Sequence, residues 1–277
     1  MQSKMLPLQE RDGLPITPVK QTCPEEGWRR LKRARIRPLH FRKELLTRVR
    51  DFCLRIHSGG MAGREIVVGV SGASGALLAH RFVQAVLTAR GLTRLHLVFS
   101  EASLQVAKGE LDPGISTSQH WVSRLKGPEG GAGRIQIHEN EEVGASIASG
   151  SYPVSGMIVI PCSAGTLGAI ANGISRDLLQ RAADVTLKER RPLVLCFRES
   201  PYSLVHIENM RRAALAGAII APPSPAFYIA EPSVERFLDS YCLRIARLLG
   251  LEVSGEDYQW KGLSKRNART AGSRRPR

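Results

Sequence analysis

Short apolar runs alternate with amphipathic stretches along the middle of this chain, and this alternation restricts the fold more than any other feature. The runs cover residues 65–70, 95–99, 156–161, 193–197 and 218–221. The stretches with helical spacing cover residues 76–89, a segment from about 101, and 164–172, 177–189, 204–216 and 234–249. Short apolar runs of this kind are typical of parallel strands that are buried on both faces. The pattern predicts one α/β domain with a doubly wound, mostly parallel sheet and right-handed crossovers.

Two of the predicted strands run directly into loops of small residues that open helices. The first loop contains Gly72, Ala73 and Ser74, and the second is Ser163-Ala164-Gly165-Thr166. In a Rossmann-like or flavodoxin-like three-layer sandwich, such loops meet at the crevice where the strand order reverses. Ser100 follows another predicted strand and would join them. We therefore predict that a flavin or a nucleotide binds in this crevice, where helix N-termini favour a phosphate.

Charged residues cluster around the apolar run 193–197. Arg181 and Lys188 precede the run, and Arg198 and Glu199 follow it directly. Such residues are rarely buried unless they are paired, and the carboxyl ends of parallel strands are where open α/β sheets bind ligands. The stretch therefore predicts an anion site, most simply a phosphate site.

The strong positive charge of the chain is confined to its two ends. The net charge is +15, of which residues 1–60 carry +8 and residues 261–277 carry +7. Residues 61–260 are therefore neutral overall, whereas a nucleic-acid-binding domain carries a basic face on its folded surface. We predict a basic, disordered extension over residues 1–61, a folded domain over 62–260 and a basic, disordered tail over 261–277. No specific nucleic-acid partner is expected.

Cysteine and histidine usage bears on metals and compartment. The five cysteines are odd in number and form no CxxC pair, which is typical of a reducing compartment. The seven histidines show no metal-ligand spacing, so no metal is predicted. No apolar run reaches the ~18 residues of a membrane helix, and acidic residues in the Arg-rich N-terminal stretch do not fit a transit peptide. We predict a cytoplasmic protein without a membrane partner.

Taken together, the motifs resemble the flavin prenyltransferases of the UbiX type over about residues 64–260. The matching segments are Gly72–Gly75, Pro161–Ser163 with Thr166-Leu167, Arg181–Asp184, Leu187–Leu193, Arg198-Glu199 with Pro201, and Pro222-Pro223 with Phe227-Tyr228. The resemblance implies transfer of a dimethylallyl group from dimethylallyl monophosphate to N5 and C6 of reduced FMN, without a metal. It further implies a homo-oligomer, specifically a dodecamer. The product, prenylated FMN, would serve UbiD-type decarboxylases, as in ubiquinone biosynthesis.

The same resemblance implies roles for individual residues. The implied FMN contacts are Gly72, Ala73, Ser74, Ser100, Ser163, Ala164, Gly165, Thr166 and Arg198. The implied contacts of the dimethylallyl phosphate are Arg181, Lys188, Tyr228, Arg244 and Trp260, some of them from neighbouring subunits. The implied catalytic group is Glu199 as proton carrier, with Ser74, Lys188 and Tyr228. Because no metal would be present, Lys, Arg and Tyr would stabilise the charge of the leaving phosphate.

Two other functions are open from the residues. One is an FMN-dependent cysteine decarboxylase of related fold, which needs a catalytic histidine near the first loop; His80 lies instead within the predicted helix. The other is a non-catalytic FMN carrier, against which the joint presence of Glu199, Lys188, Tyr228 and Arg244 argues.

Overall fold

Six parallel strands form one sheet at the centre of the protein, which we describe from a computed structural model. The description covers residues 63–126, 131–224, 226–229 and 233–254. The strands are β1 (Arg64–Val70), β2 (Leu92–Phe99), β3 (Ile135–His138), β4 (Gly156–Cys162), β5 (Leu193–Phe197) and β6 (Ile219–Ile220). Their order across the sheet is β3-β2-β1-β4-β5-β6, and every pairing between them is parallel. This is the doubly wound order of Rossmann-type sheets.

Helices cover both faces of the sheet. They are α1 (Ala76–Val86), α2 (Glu101–Glu110), α3 (Ser118–Ser123), α4 (Ala164–Ala171), α5 (Leu178–Lys188), α6 (Leu204–Ala216) and α7 (Val234–Leu248). Serine, threonine or aspartate side chains cap the N-termini of α2 to α7. Such caps satisfy N–H groups that have no partner within the helix.

Alternate residues of the strands face two separate hydrophobic clusters. Ile66, Val68 and Val70 of β1 belong to the cluster that includes α1 and α7, whereas Val67 belongs to the one that includes α4 and α5. This is the period of two expected of a strand. The predicted doubly wound α/β fold, a three-layer sandwich with apolar layers on both sides of the sheet, is therefore confirmed.

Two elements lie where the sequence predicted none. Strand β3 has only four residues, three of them half-buried, because it lies at the edge of the sheet. Helix α3 has six residues and buries Trp121 completely. Both are too short to show a clear periodicity. The other predicted elements differ from the observed ones by a few residues at their ends.

Several predictions concern parts of the chain outside the described residues. These are the extension 1–61 and the tail 261–277. The described residues all belong to one unit, which spans Leu54–Arg277. The domain boundaries stay predictions. No helix within the described ranges is long and apolar enough to cross a membrane.

A buried polar network crosses the edge of the sheet. His96 of β2 is fully buried, and its Nδ1 lies 2.9 Å from Nε2 of His138. Its Nε2 lies 3.0 Å from Oε2 of Glu65, which also accepts a hydrogen bond of 2.6 Å from the Tyr152 hydroxyl. Burial lowers the pKa of His96, and the Glu65 carboxylate offsets this only in part. Burial and the neighbouring His96 likewise lower the pKa of His138.

These lowered pKa values predict a loss of stability in acid. The unfolded chain takes up protons at these histidines near pH 6.5, where the folded protein does not. The stability that the fold gains from keeping these two histidines neutral is therefore complete above pH ~6.5. It is lost as the pH falls towards the lowered pKa values. The free energy of unfolding, measured with urea between pH 7.5 and 5.5, should fall with pH. His138→Gln should reduce that slope by up to about 1.4 kcal/mol per pH unit. The exposed control His120→Gln should leave it unchanged; equal slopes in both variants would contradict the prediction.

Candidate functional site

The strand order reverses between β1 and β4, and the loops that follow these two strands are joined by Ser71. The Ser71 hydroxyl is buried, donates to the carbonyl of Pro161 at 2.9 Å and accepts from the Ser163 N–H at 2.8 Å. One small side chain therefore holds the two predicted ligand loops together. No role was predicted for Ser71, because a serine next to Gly72 is equally typical of a tight turn.

Replacing Ser71 with alanine should destabilise the fold. The Ser163 N–H would lose its partner in a half-buried place, which costs about 1–3 kcal/mol. The measurement is urea unfolding of Ser71→Ala beside Ser123→Ala. The Ser123 hydroxyl is exposed and bonds only to the carbonyl of His120 within its own helix. Equal stability of the two variants would show that the loops do not depend on the bridge.

A cleft of about 480 Å³ opens at this reversal point. Five of the residues predicted to contact FMN line it: Gly72, Ser100, Ser163, Gly165 and Thr166. A Cβ atom on Gly72 would lie 2.4 Å from Cβ of Ala102, so only glycine allows this close approach. The volume lies within the usual range for a small-molecule site. Ala73, Ser74, Ala164 and Arg198 do not line this cleft, although they lie in or beside the same loops.

The N-terminus of α1 is occupied by a side chain of the protein. The Glu110 carboxylate accepts from the N–H groups of Gly75 and Ala76 at 2.9 and 2.8 Å. Burial raises the pKa of Glu110, but hydrogen bonds from Ser74, Gly75 and Ala76 and the charge of Arg198 outweigh burial and lower it. The expectation that this helix end offers free N–H groups to a phosphate therefore needs correction. The cleft lies instead at the beginnings of α2 and α4.

Arg198 and Glu199 lie just beyond the carboxyl end of β5, as predicted. The Arg198 backbone N–H donates to the carbonyl of Cys162 at 3.2 Å, which ties it to the end of β4. Its Nε is buried without a hydrogen-bond partner among the described residues. Oε1 of Glu199 accepts the Ser200 N–H at 3.0 Å. A buried guanidinium N–H normally has a hydrogen-bond partner, which a bound ligand or a water molecule can supply here.

These features fit FMN. Small residues and two serine caps surround the cleft, and Arg198 adds a buried donor nearby. Within the described ranges, no three His, Cys, Asp or Glu side chains are grouped so as to hold a metal ion.

Comparisons with known proteins agree with this arrangement. Residues 54–231 match the Flavoprotein family. The flavin prenyltransferase UbiX of Synechocystis sp. is 43% identical over 194 residues, which cover 68% of this chain and 92% of that protein. The chain belongs to the UbiX flavin prenyltransferase family. A structure of AnUbiX in complex with FMN and dimethylallyl pyrophosphate is 37% identical, with a TM-score of 0.63 over 73% of this chain and all of that one. A dodecameric FMN-dependent UbiX-like decarboxylase from Escherichia coli is 35% identical, with a TM-score of 0.62 over 72% of this chain and all of that one.

Two of the residues that the resemblance to UbiX implies as contacts of the dimethylallyl phosphate, Lys188 and Arg181, lie away from the cleft. Lys188 ends α5 and pairs with Glu189 at 2.6 Å, before the amino end of β5. Glu199 follows the carboxyl end of the same strand, which spans about 16 Å. Arg181 donates to the carbonyl of Ala148 at 3.2 Å and pairs with Asp184 at 2.9 Å. One chain alone therefore does not bring Lys188 to Glu199.

Tyr228 and Arg244 meet in a second cavity of about 730 Å³ beside β6 and α7. Ile219, Ile220 and Leu243 are among its apolar lining residues. A phenol and a guanidinium in a cavity with apolar lining residues are suited to a phosphate that carries a short hydrocarbon chain. Trp260, also predicted for this substrate, lies outside the described residues.

Proposed function

We propose that this protein transfers a dimethylallyl group from a dimethylallyl phosphate to N5 and C6 of reduced FMN. The observation that carries the proposal is the cleft between β1 and β4, which is lined by five of the residues expected to contact FMN, in a chain of the UbiX family. Bound reduced FMN would supply the nucleophilic positions. The protein would supply orientation, charge stabilisation and proton transfer.

Each part of the site has a proposed task. The Ser100 and Ser163 loops hold the flavin, with the Arg198 Nε as a further donor towards it. The cations Arg181, Lys188 and Arg244, with the Tyr228 hydroxyl, stabilise the departing phosphate, as ionisation of an allylic phosphate requires. Glu199 carries the proton exchanged between flavin and phosphate, and Ser74 lies between them. Holding both reactants together provides the proximity advantage.

The separation of Lys188 from Glu199 supports an oligomeric enzyme. If both residues serve one site, Lys188 must come from another subunit, because strand β5 lies between them within one chain. We therefore propose a homo-oligomer with shared sites and, by analogy with the dodecameric relative, a dodecamer. A UbiD-type decarboxylase as recipient of the product, a monophosphate donor and a cytoplasmic location belong to the same proposal.

The test is anaerobic incubation of the protein with reduced FMN and dimethylallyl monophosphate, followed by mass spectrometry of the flavin. A flavin heavier by the five-carbon group is expected, and a parallel reaction with the diphosphate identifies the donor. Oxidised FMN serves as the control, since it lacks the nucleophile. FMN-loaded protein that forms no adduct with either donor would overturn the proposal. Release of carbon dioxide from a cysteine-ended peptide would favour the decarboxylase alternative instead.

A further inference from the structure

Arg176 lines the FMN cleft, and no role was predicted for it. It lies between α4 and α5, is exposed, and is the one ionisable side chain among the described residues that form the cleft wall. We propose that Arg176 binds the phosphate of FMN. This inference rests on the proposed function, because it assumes that the cleft holds the flavin.

The backbone of Arg176 is held in place by its neighbours. Its N–H donates to Oε1 of Gln180 at 3.0 Å. Nε2 of the same glutamine donates to Oδ2 of Asp177 at 2.8 Å, and Oδ1 of Asp177 accepts the Gln180 N–H at 2.8 Å as the cap of α5. Gln180 also lines the cleft. The turn that carries Arg176 is therefore fixed against the cleft wall.

The guanidinium of Arg176 is available for a ligand. It forms no ion pair and no side-chain hydrogen bond with any residue that the structure describes. Its neighbour Asp177 is engaged with Gln180, and no Asp or Glu lines the described part of the cleft. A planar guanidinium with several N–H donors matches a phosphate well. An unpaired arginine in a cleft without acids favours an anion.

The rest of the cleft accommodates the same anion. Helices α2 and α4 both begin there, since Ser100 and Ala102 of one helix and Ser163 and Gly165 of the other line it. The N-terminus of a helix carries partial positive charge, which adds to the charge of Arg176. The N-terminus of α1 does not contribute in this way, because Glu110 occupies it. The phosphate end of FMN therefore fits between α2, α4 and Arg176.

The test compares flavins that differ only in the phosphate. Dissociation constants of FMN and riboflavin are measured by calorimetry on the full chain without a prenyl donor. Arg176→Gln should weaken FMN binding about tenfold, as for a charge-assisted hydrogen bond at an exposed position, and leave riboflavin binding unchanged. Arg176→Lys keeps the positive charge and should therefore lose less FMN affinity than Arg176→Gln. The affinity of the native chain for FMN should also depend more strongly on salt than that of Arg176→Gln.

The matched control is Arg211→Gln, since Arg211 is exposed on α6 and pairs with Glu208. It should bind both flavins like the native chain. Equal weakening of FMN and riboflavin by Arg176→Gln would show a structural role and overturn the inference. Unchanged FMN affinity, with or without an altered Michaelis constant for the prenyl donor, would overturn it as well. If the native chain binds neither flavin, the proposed function itself fails.

Discussion

Replacing Glu199 with glutamine should lower the rate of prenyl transfer at least about 100-fold and leave FMN binding within about twofold of the native value. The range for loss of a positioned acid or base is about 10²–10⁴. Glutamine has nearly the same shape, and its carbonyl oxygen can still accept the Ser200 N–H. It cannot carry the proton, however. Single-turnover prenylation under anaerobic conditions measures the chemical step directly.

Glu208→Gln provides the comparison for this variant. Glu208 is also a partly exposed glutamate, but it lies on α6 and pairs with Arg211 and Arg212. Its replacement should leave prenylation and FMN binding unchanged. Turnover of Glu199→Gln within about fivefold of the native rate would remove Glu199 from the proton transfer.

Two inactive variants should restore activity when they assemble together. Lys188→Met and Glu199→Gln should each lose nearly all turnover, since one lacks a cation for the phosphate and the other the proton carrier. Because β5 separates these residues within a chain, a site that uses both must combine two subunits. Co-expression with two different tags, and purification through both, yields mixed oligomers. With random assortment roughly a quarter of the sites contain both native residues, so activity should return to about that fraction.

The control is co-expression of Lys188→Met with Lys188→Ala, which leaves no site with a native lysine. These mixed oligomers should stay inactive. If the Lys188→Met and Glu199→Gln pair also stays inactive although mixed oligomers form, then sharing of Lys188 between subunits is excluded.

The central part of the fold was predictable because its strands are buried on both faces. Runs such as 156–161 and 193–197 are nearly all apolar, since neither face meets water, and their flanking helices carry strong amphipathic spacing. Edge strand β3 has no comparable signal. With one neighbouring strand and only His138 buried, it needs few apolar residues, and its pairing with β2 decides its structure.

The loops of the site were also predictable, because local structure restricts their residue types. Loops of small residues and serine caps stand out in the sequence where a strand passes into a helix, as at Ser163. Glu110 and Arg176 carry no such mark. Each is one charged residue in an ordinary polar context, and only packing brings Glu110 to the start of α1 and Arg176 to the cleft.

The amino-acid sequence by itself determined that this chain forms a doubly wound α/β domain with small-residue loops at its reversal point, because burial and backbone geometry restrict residue type locally. Only the tertiary structure decided which charges share a site. It placed Glu110 at the N-terminus of α1 and Arg176 in the cleft at which α2 and α4 begin. Charged side chains interact through space, and the distances between them depend on strand order and chain direction, which no local pattern specifies.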